Sequence, residues 1–198
     1  IIRFAIHFDP LLIPISLLYL IWADPKVLLV LQTLVVAIGA YPAFWLARLR
    51  LRSNLAAVVI AVLYLLYPAQ QQALIFDFHA VTFATAFLLF MLYFLYTGRT
   101  VGIFIFALLS LACKEEIGLV VAMFGVWAIL FQWYWRSGLA LFLIGITWFC
   151  LAYAVIMPHF SPTGHPLLVS RYPQLAKPTV FIASSLLHPH EFLNQYIR

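Results

Sequence analysis

Long apolar runs separated by short polar joins dominate the chain up to Met157. A spanning helix needs about twenty apolar residues, whereas runs of 10–14 more often lie at the interface or re-enter the bilayer. On that scale Val27–Ala47 predicts a full span, with Pro42 as a kink and Tyr41 and Trp45 near one end. Asn54–Tyr67 predicts a second, shorter span able to run on past Pro68, leading through Gln70-Gln71-Gln72 to Phe76-Asp77-Phe78-His79. Val81–Tyr96, Val101–Cys113, Ile117–Trp135 and Leu139–Met157 follow as further spans. Leu11–Ala23 holds only thirteen residues with Pro10 and Pro14 near its start, and predicts a short helix on the membrane surface. The expected fold is all-α: a polytopic helical membrane protein of about six spanning helices plus short interfacial helices.

From Pro158 onward the pattern changes. Six prolines punctuate a polar tail that carries His159, His165, His188 and His190. Thr179–Leu187 and Glu191–Ile197 within it read as short amphipathic helices along the membrane surface. The expected division is a transmembrane helical domain over 1–157 and an outer-face loop over 158–198. The chain opens on Ile1 without Met and closes at Arg198 in a polar segment, as an excerpt of a longer polypeptide would.

Composition agrees with the pattern. Of 198 residues 66% are hydrophobic and 9% charged, against about 45–50% and about 25% in soluble domains. The net charge of +5 does not imply nucleic acid, because the basic residues sit in short joins between apolar runs, as topology signals do. Cys113 and Cys150 form no CxxC motif and read as small apolar fillers. Tyr19, Trp22, Tyr64, Tyr67, Trp133, Tyr134 and Trp135 read as interfacial belts. Gly125 and Gly145 suit close helix contact.

Charge placement changes the picture most. If the six longer runs span and the first does not, Arg48, Arg50, Arg52, Arg99 and Arg136 fall on one face. Asp24, Lys26, Asp77, His79, Lys114, Glu115, Glu116 and His159 fall on the other, joined by His7 and Asp9. The arginine face is cytoplasmic by the positive-inside rule. Lys114-Glu115-Glu116 interrupts two apolar runs with no Gly, Pro or Ser to soften the join. Ionisable groups at membrane depth cost about 2.5–3.5 kcal/mol each and mark functional sites by default. The thirteen residues of Val101–Cys113 reach only about 20 Å of a core about 30 Å thick. The cluster is therefore expected below the outer surface, lining a cavity, with Glu116 opening the next helix and Lys114 neutralising one carboxylate. A tight surface turn with solvated charges is the alternative.

Such a set offers several chemistries. A carboxylate in a partly dry cavity can serve as general acid or base. Carboxylate with imidazole can hold a divalent cation, although Asp77-x-His79 supplies only one short pair and no metal-ligand set is assigned. Lysine can hold a phosphate. Asp77 and His79 can equally be a solvated loop tip or an N-cap before Val81, and His7-Phe8-Asp9-Pro10 a cap of the short helix.

The motifs His7-Phe8-Asp9-Pro10, Pro25 with Leu31-Gln32, Ala47-Arg48, Phe76-Asp77-Phe78-His79 and Lys114-Glu115-Glu116-Ile117-Gly118 occur in this order. The series resembles the bacterial and archaeal membrane family called domain of unknown function 2079, over nearly the whole chain. That family is similar to the integral-membrane glycosyltransferases of the C-type superfamily, which take sugars from polyprenyl phosphates on the outer face. The resemblance implies a glycosyltransferase C-like fold in a bacterial plasma membrane, with the site facing outside. It implies partners in the bilayer and a polyprenyl-phosphate-linked sugar, with Asp77, Glu115 and Glu116 catalytic. Lys114, His79, His7 and Asp9 would bind substrate; a divalent cation is possible and otherwise the cofactor is unknown. Glu116 stands where the family usually has Asp, which changes reach and keeps charge. Such enzymes carry a catalytic acid in the first outer loop, expected upstream of Ile1, and Leu11–Ala23 would be that loop's juxtamembrane helix. An ion-coupled transporter and a non-catalytic assembly subunit are the rival readings.

Overall fold

The computed structural model describes residues 3–132 and 134–162. Trp133, the two expected tail helices and His165, His188 and His190 lie outside the described residues. Among those described, every regular element is helical. A 3-10 turn, Arg3–Ala5, leads to α1 (Leu12–Ser16), which tightens into a second 3-10 turn, Leu17–Leu20. The expected surface helix is thus broken. It tucks Ile15 into the core while Ile13, Leu17, Leu20 and Ile21 face outward.

The next two helices form one bent rod. α2 (Lys26–Ile38) runs into α3 (Ala40–Leu51) across Gly39, giving a mainly apolar stretch of 26 residues from Lys26 to Leu51. Pro42 has no N–H to offer the preceding turn, and the helix is interrupted just before it, at Gly39. The Tyr64 hydroxyl donates to the Val36 carbonyl at 2.9 Å, at the bend. Tyr64 is therefore an interior bracing residue, not the belt residue its position near a run end suggests.

α4 (Asn54–Leu65) and α5 (Pro68–Phe76) form a second rod, Asn54–Phe76, of 23 residues. Ser53 caps its start by accepting from the Ala56 N–H at 3.3 Å. Pro68 frees carbonyls of the preceding turn, and side chains from the next turn reach back to them. Gln70 Nε2 donates to the Tyr64 carbonyl at 3.4 Å and Gln71 Nε2 to that of Leu65. The glutamine patch thus belongs to the span and mends its break, as backbone in hydrocarbon requires.

After a 3-10 turn, Ala80–Thr82, come α6 (Phe83–Thr97) and α7 (Thr100–Leu111). Gly98 adopts the left-handed conformation (φ 69°) that turns one back on the other. Gly102 of α7 lies against Phe94 of α6 and Phe106 stacks on Phe90, an opposed order that marks an antiparallel pair. α8 (Ile117–Gln132) and α9 (Trp135–Leu151) form the third hairpin. α9 continues through a π turn, Ala152–Ile156, into α10 (Met157–Phe160), so the helix starts before the expected Leu139 and passes the expected end at Met157. Arg136-Ser137-Gly138 is its first turn and not a loop.

Four helical stretches are long and apolar enough to cross a membrane: Lys26–Leu51, Asn54–Phe76, Ala80–Thr97 and Trp135–Phe160. Thr100–Leu111 and Ile117–Phe131 are apolar but shorter. The outer face supports the same conclusion. α4 buries Ala57 and α5 buries nothing, while Leu55, Leu63, Leu66, Ile75 and Phe76 stand exposed. Apolar surface on this scale belongs in lipid. The chain is a polytopic membrane protein.

Small residues set the closest approach. A Cβ on Gly118 would stand 2.6 Å from the Gly145 carbonyl oxygen, and one on Gly125 would stand 2.5 Å from that of Gly138. Backbone touches backbone at both levels of the α8–α9 pair. This is the small-residue packing that membrane helices use where lipid offers no hydrophobic drive to associate. The expectation for Gly125 and Gly145 holds, with Gly118 and Gly138 as their partners.

Candidate functional site

Three antiparallel turns sort the ionisable groups between the two ends of the bundle. At one end Arg48 and Arg50 close α3, Arg52 and Arg99 occupy the connections, and Arg136 opens α9. Arg50 donates to the Tyr96 hydroxyl at 2.7 Å, and a Cβ on Gly98 would lie 3.0 Å from the hydroxyl of Tyr134, which precedes α9. These contacts hold the arginine-bearing joins together. The other end carries Asp9, Asp24, Asp77, Glu115 and Glu116.

The acid end is built on the join between α7 and α8. Both helices are short, 12 and 16 residues, or about 18 and 24 Å at 1.5 Å per residue. Ala112, Cys113 and the three charged residues fill the gap. Backbone N–H groups of Ile117, Gly118 and Leu119 donate to the carbonyls of Lys114, Glu115 and Glu116, so the cluster winds directly into α8. Glu116 immediately precedes that helix, where its charge favours the helix dipole. It is half exposed and accepts from Lys114 Nζ at 2.8 Å. Burial of the neighbouring Cys113 pushes its thiol up to about 12, so it is neutral at ordinary pH. Its Sγ donates to the Leu109 carbonyl.

Glu115 points inward and is 2% exposed. One oxygen lies 3.1 Å from His7 Nδ1; the other accepts the Phe8 N–H at 2.9 Å. Beside this clamp the Leu11 N–H donates to the Ala112 carbonyl at 3.0 Å, occupying an acceptor that the end of α7 leaves open. Rings extend the contact: Phe8 meets Trp148 of α9 at 5.2 Å, and Phe4 meets Phe8 and Phe160, each at 5.7 Å. His7-Phe8-Asp9-Pro10 is therefore no simple helix cap. It is the strap that closes over Lys114-Glu115-Glu116.

Asp9, 3% exposed, takes Arg3 on one oxygen at 2.7 Å. Its other oxygen, Oδ1, is buried with no hydrogen-bond partner among the described residues, and so is Trp148 Nε1. An acceptor and a donor thus adjoin Phe8 unfilled, Asp9 by sequence and Trp148 by ring contact. Among the described residues no three of His, Cys, Asp and Glu converge as a metal site requires.

Asp77 and His79 occupy the connection before α6, at the same end as Glu115 because α6 and α7 run antiparallel. Among the described residues no hydrogen bond or ion pair joins them to the Glu115 cluster. Asp77 is exposed and stands at the C-cap of α5, its Oδ1 accepting the Phe78 N–H at 2.7 Å; His79 holds the N-cap position of Ala80–Thr82, with no capping bond from its side chain. His79 stacks on Phe76 at 6.1 Å, and its Nδ1 lies 3.3 Å from the Asp77 carbonyl. Gln32 pins this connection. Fully buried in α2, it accepts the His79 N–H at 2.9 Å and donates to the Asp77 carbonyl at 3.3 Å. A glutamine within an apolar helix was the available signal for that role, since a buried amide needs partners. Gln32→Leu is expected to lower stability by about 1–3 kcal/mol, the cost of stranding buried backbone groups. Thermal unfolding in detergent measures it, and proteolysis near Phe76 should accelerate.

The sequence model of the family described as a predicted membrane protein, DUF2079, matches residues 1–197. The chain belongs to this family. Comparison with curated proteins and with solved structures gave no match. Four of the five motifs by which the chain resembles DUF2079 are joined in pairs by hydrogen bonds. Two of them, 108 residues apart, meet at Glu115, and Gln32 of a third holds Asp77 and His79 of a fourth. In this DUF2079 protein Glu115 is buried in a holding geometry, whereas Glu116 and Asp77 are exposed.

Proposed function

We propose that this protein is a membrane glycosyltransferase of C-type character, moving a sugar from a polyprenyl-phosphate donor to an acceptor at the acid-bearing end of the bundle. All six helical passes cross the bilayer in this reading, the two short ones leaving the site recessed from the outer surface. The observation that carries it is the closure of the His7–Asp9 strap over Glu115, which leaves Lys114 and Glu116 partly open beside it. Lys114 contacts the donor phosphate, as a compact cation near a recessed membrane surface can. Asp77, with Oδ2 unengaged among the described residues, or Glu116 takes the acceptor proton. Arginines at the opposite end favour an outward-facing site in a bacterial plasma membrane.

Sugar release from a radiolabelled polyprenyl-phosphate donor tests the reading. The purified protein should turn over, and Lys114→Ala and Asp77→Ala should each lower kcat by about 100-fold or more, the range of a lost acid–base or charge contact. Unchanged turnover in both variants removes these residues from the mechanism.

One observation favours transport instead. Two neighbouring spans are interrupted, at Gly39 and at Leu66–Pro68, and carriers place ion sites on broken helices. Here Tyr64, Gln70 and Gln71 occupy carbonyls at the breaks, which leaves fewer oxygens for an ion. Solute or proton flux in proteoliposomes separates the two readings.

A further inference from the structure

A groove of about 640 Å³ lies between α3, α4 and α6, away from the acid end. Its walls are apolar and include Ala43, Leu46, Leu63 and Leu89, with the phenols of Tyr64 and Tyr67 at the deep end. Arg50 and Tyr96 stand at its mouth. Along α3 the groove runs from Ala43, near mid-span, to Arg50 at the rim, or about 10 Å at 1.5 Å per residue. That depth falls within a single leaflet of about 15 Å, half a hydrocarbon core.

The mouth is cationic and its cation is held in place. Arg50 donates to the Tyr96 hydroxyl at 2.7 Å and its guanidinium lies over that ring, 4.4 Å from the centroid. Those contacts use one of five donors. Among the described residues no carboxylate pairs with Arg50, and Arg48 and Arg52 stand beside it in the chain. Among the described residues that end carries guanidinium groups and no carboxylate, a charge excess that attracts anions from elsewhere.

We propose that this groove binds one anionic phospholipid from the leaflet on the arginine side, its phosphate on Arg50 and an acyl chain between α3, α4 and α6. Charge complementarity at the mouth, apolar walls and a depth matched to one leaflet together select this occupant. Basic pockets between membrane helices recognise anionic head groups on the same physical basis. The site is independent of the transferase reading, being at the opposite end of the bundle.

Native mass spectrometry of the purified, delipidated protein tests the proposal, using phosphatidylglycerol and phosphatidylcholine with identical acyl chains. The wild type should retain phosphatidylglycerol about fivefold more strongly, the effect of one arginine at an anionic head group. Arg50→Gln should erase that preference while still retaining both lipids. Leu63→Trp, which fills the groove from an exposed position, should reduce retention of both. Equal retention of the two lipids by the wild type, or an unchanged preference in Arg50→Gln, overturns the proposal. So does a dimer that forms through this face and excludes lipid.

Discussion

Replacing Glu115 with leucine is expected to release the His7–Leu11 strap and destabilise the protein by about 2–4 kcal/mol, the range for breaking a buried, charge-assisted set of contacts. The Glu115 side chain is 3% exposed and that of His7 45%. Solvent therefore screens the imidazole, and most of the loss comes from the Phe8 N–H, whose acceptor disappears. Glu115→Gln keeps an acceptor for that N–H and should cost about half as much. Thermal unfolding in detergent gives the total. A local probe is built into the join: Cys113 is 1% exposed and its thiol is pushed up to about 12 by burial. In a Cys150→Ser background, Cys113 should resist maleimide at pH 8 in the otherwise unchanged protein and react in the Glu115→Leu variant. Equal melting temperatures together with an unreactive thiol would show that the strap is held by something else.

The second large effect is expected at Gly145. A Cβ there would overlap the Gly118 carbonyl and lie 2.7 Å from the Ala122 N. Both obstacles are backbone, so neither can rotate aside, and α8 and α9 must separate. Gly145→Ala should cost about 1–3 kcal/mol, the range for overpacking, and Gly145→Leu should prevent accumulation of folded protein. Gly102→Ala is the comparison, because a Cβ there meets the ring of Phe94, a side chain and not backbone. Melting temperatures that fall equally in the two alanine variants would contradict backbone contact as the controlling factor.

Helix identity was legible in the chain because hydrocarbon imposes a single demand: long apolar runs with every backbone group paired internally. The run ends were less legible, for physical reasons visible at particular residues. Pro68 and Gln70–Gln72 read locally as the close of a helix and a polar loop. In the fold Gln70 and Gln71 turn back to pair the carbonyls that Pro68 frees, and the rod continues to Phe76. Arg136 reads as a loop residue, yet it opens α9, its guanidinium 5.4 Å from the Trp135 ring centroid. Tyr64 reads as a belt residue and becomes a brace because a distant bend at Gly39 presents it with a carbonyl.

Legible in the chain alone were its residence in a membrane, the sorting of Arg48, Arg50, Arg52, Arg99 and Arg136 to one end and of Asp9, Asp24, Asp77, Glu115 and Glu116 to the other, and the misfit of Lys114-Glu115-Glu116 in lipid. Those properties follow from composition and from the alternation of spans, which need no knowledge of neighbours. Only the tertiary structure decided which carboxylate is buried, which remains open and what holds each. Glu115 and Glu116 are adjacent and chemically alike. One is sealed by His7 and Phe8 and the other faces outward because consecutive residues on a turn point in different directions, and the strap arrives on just one side.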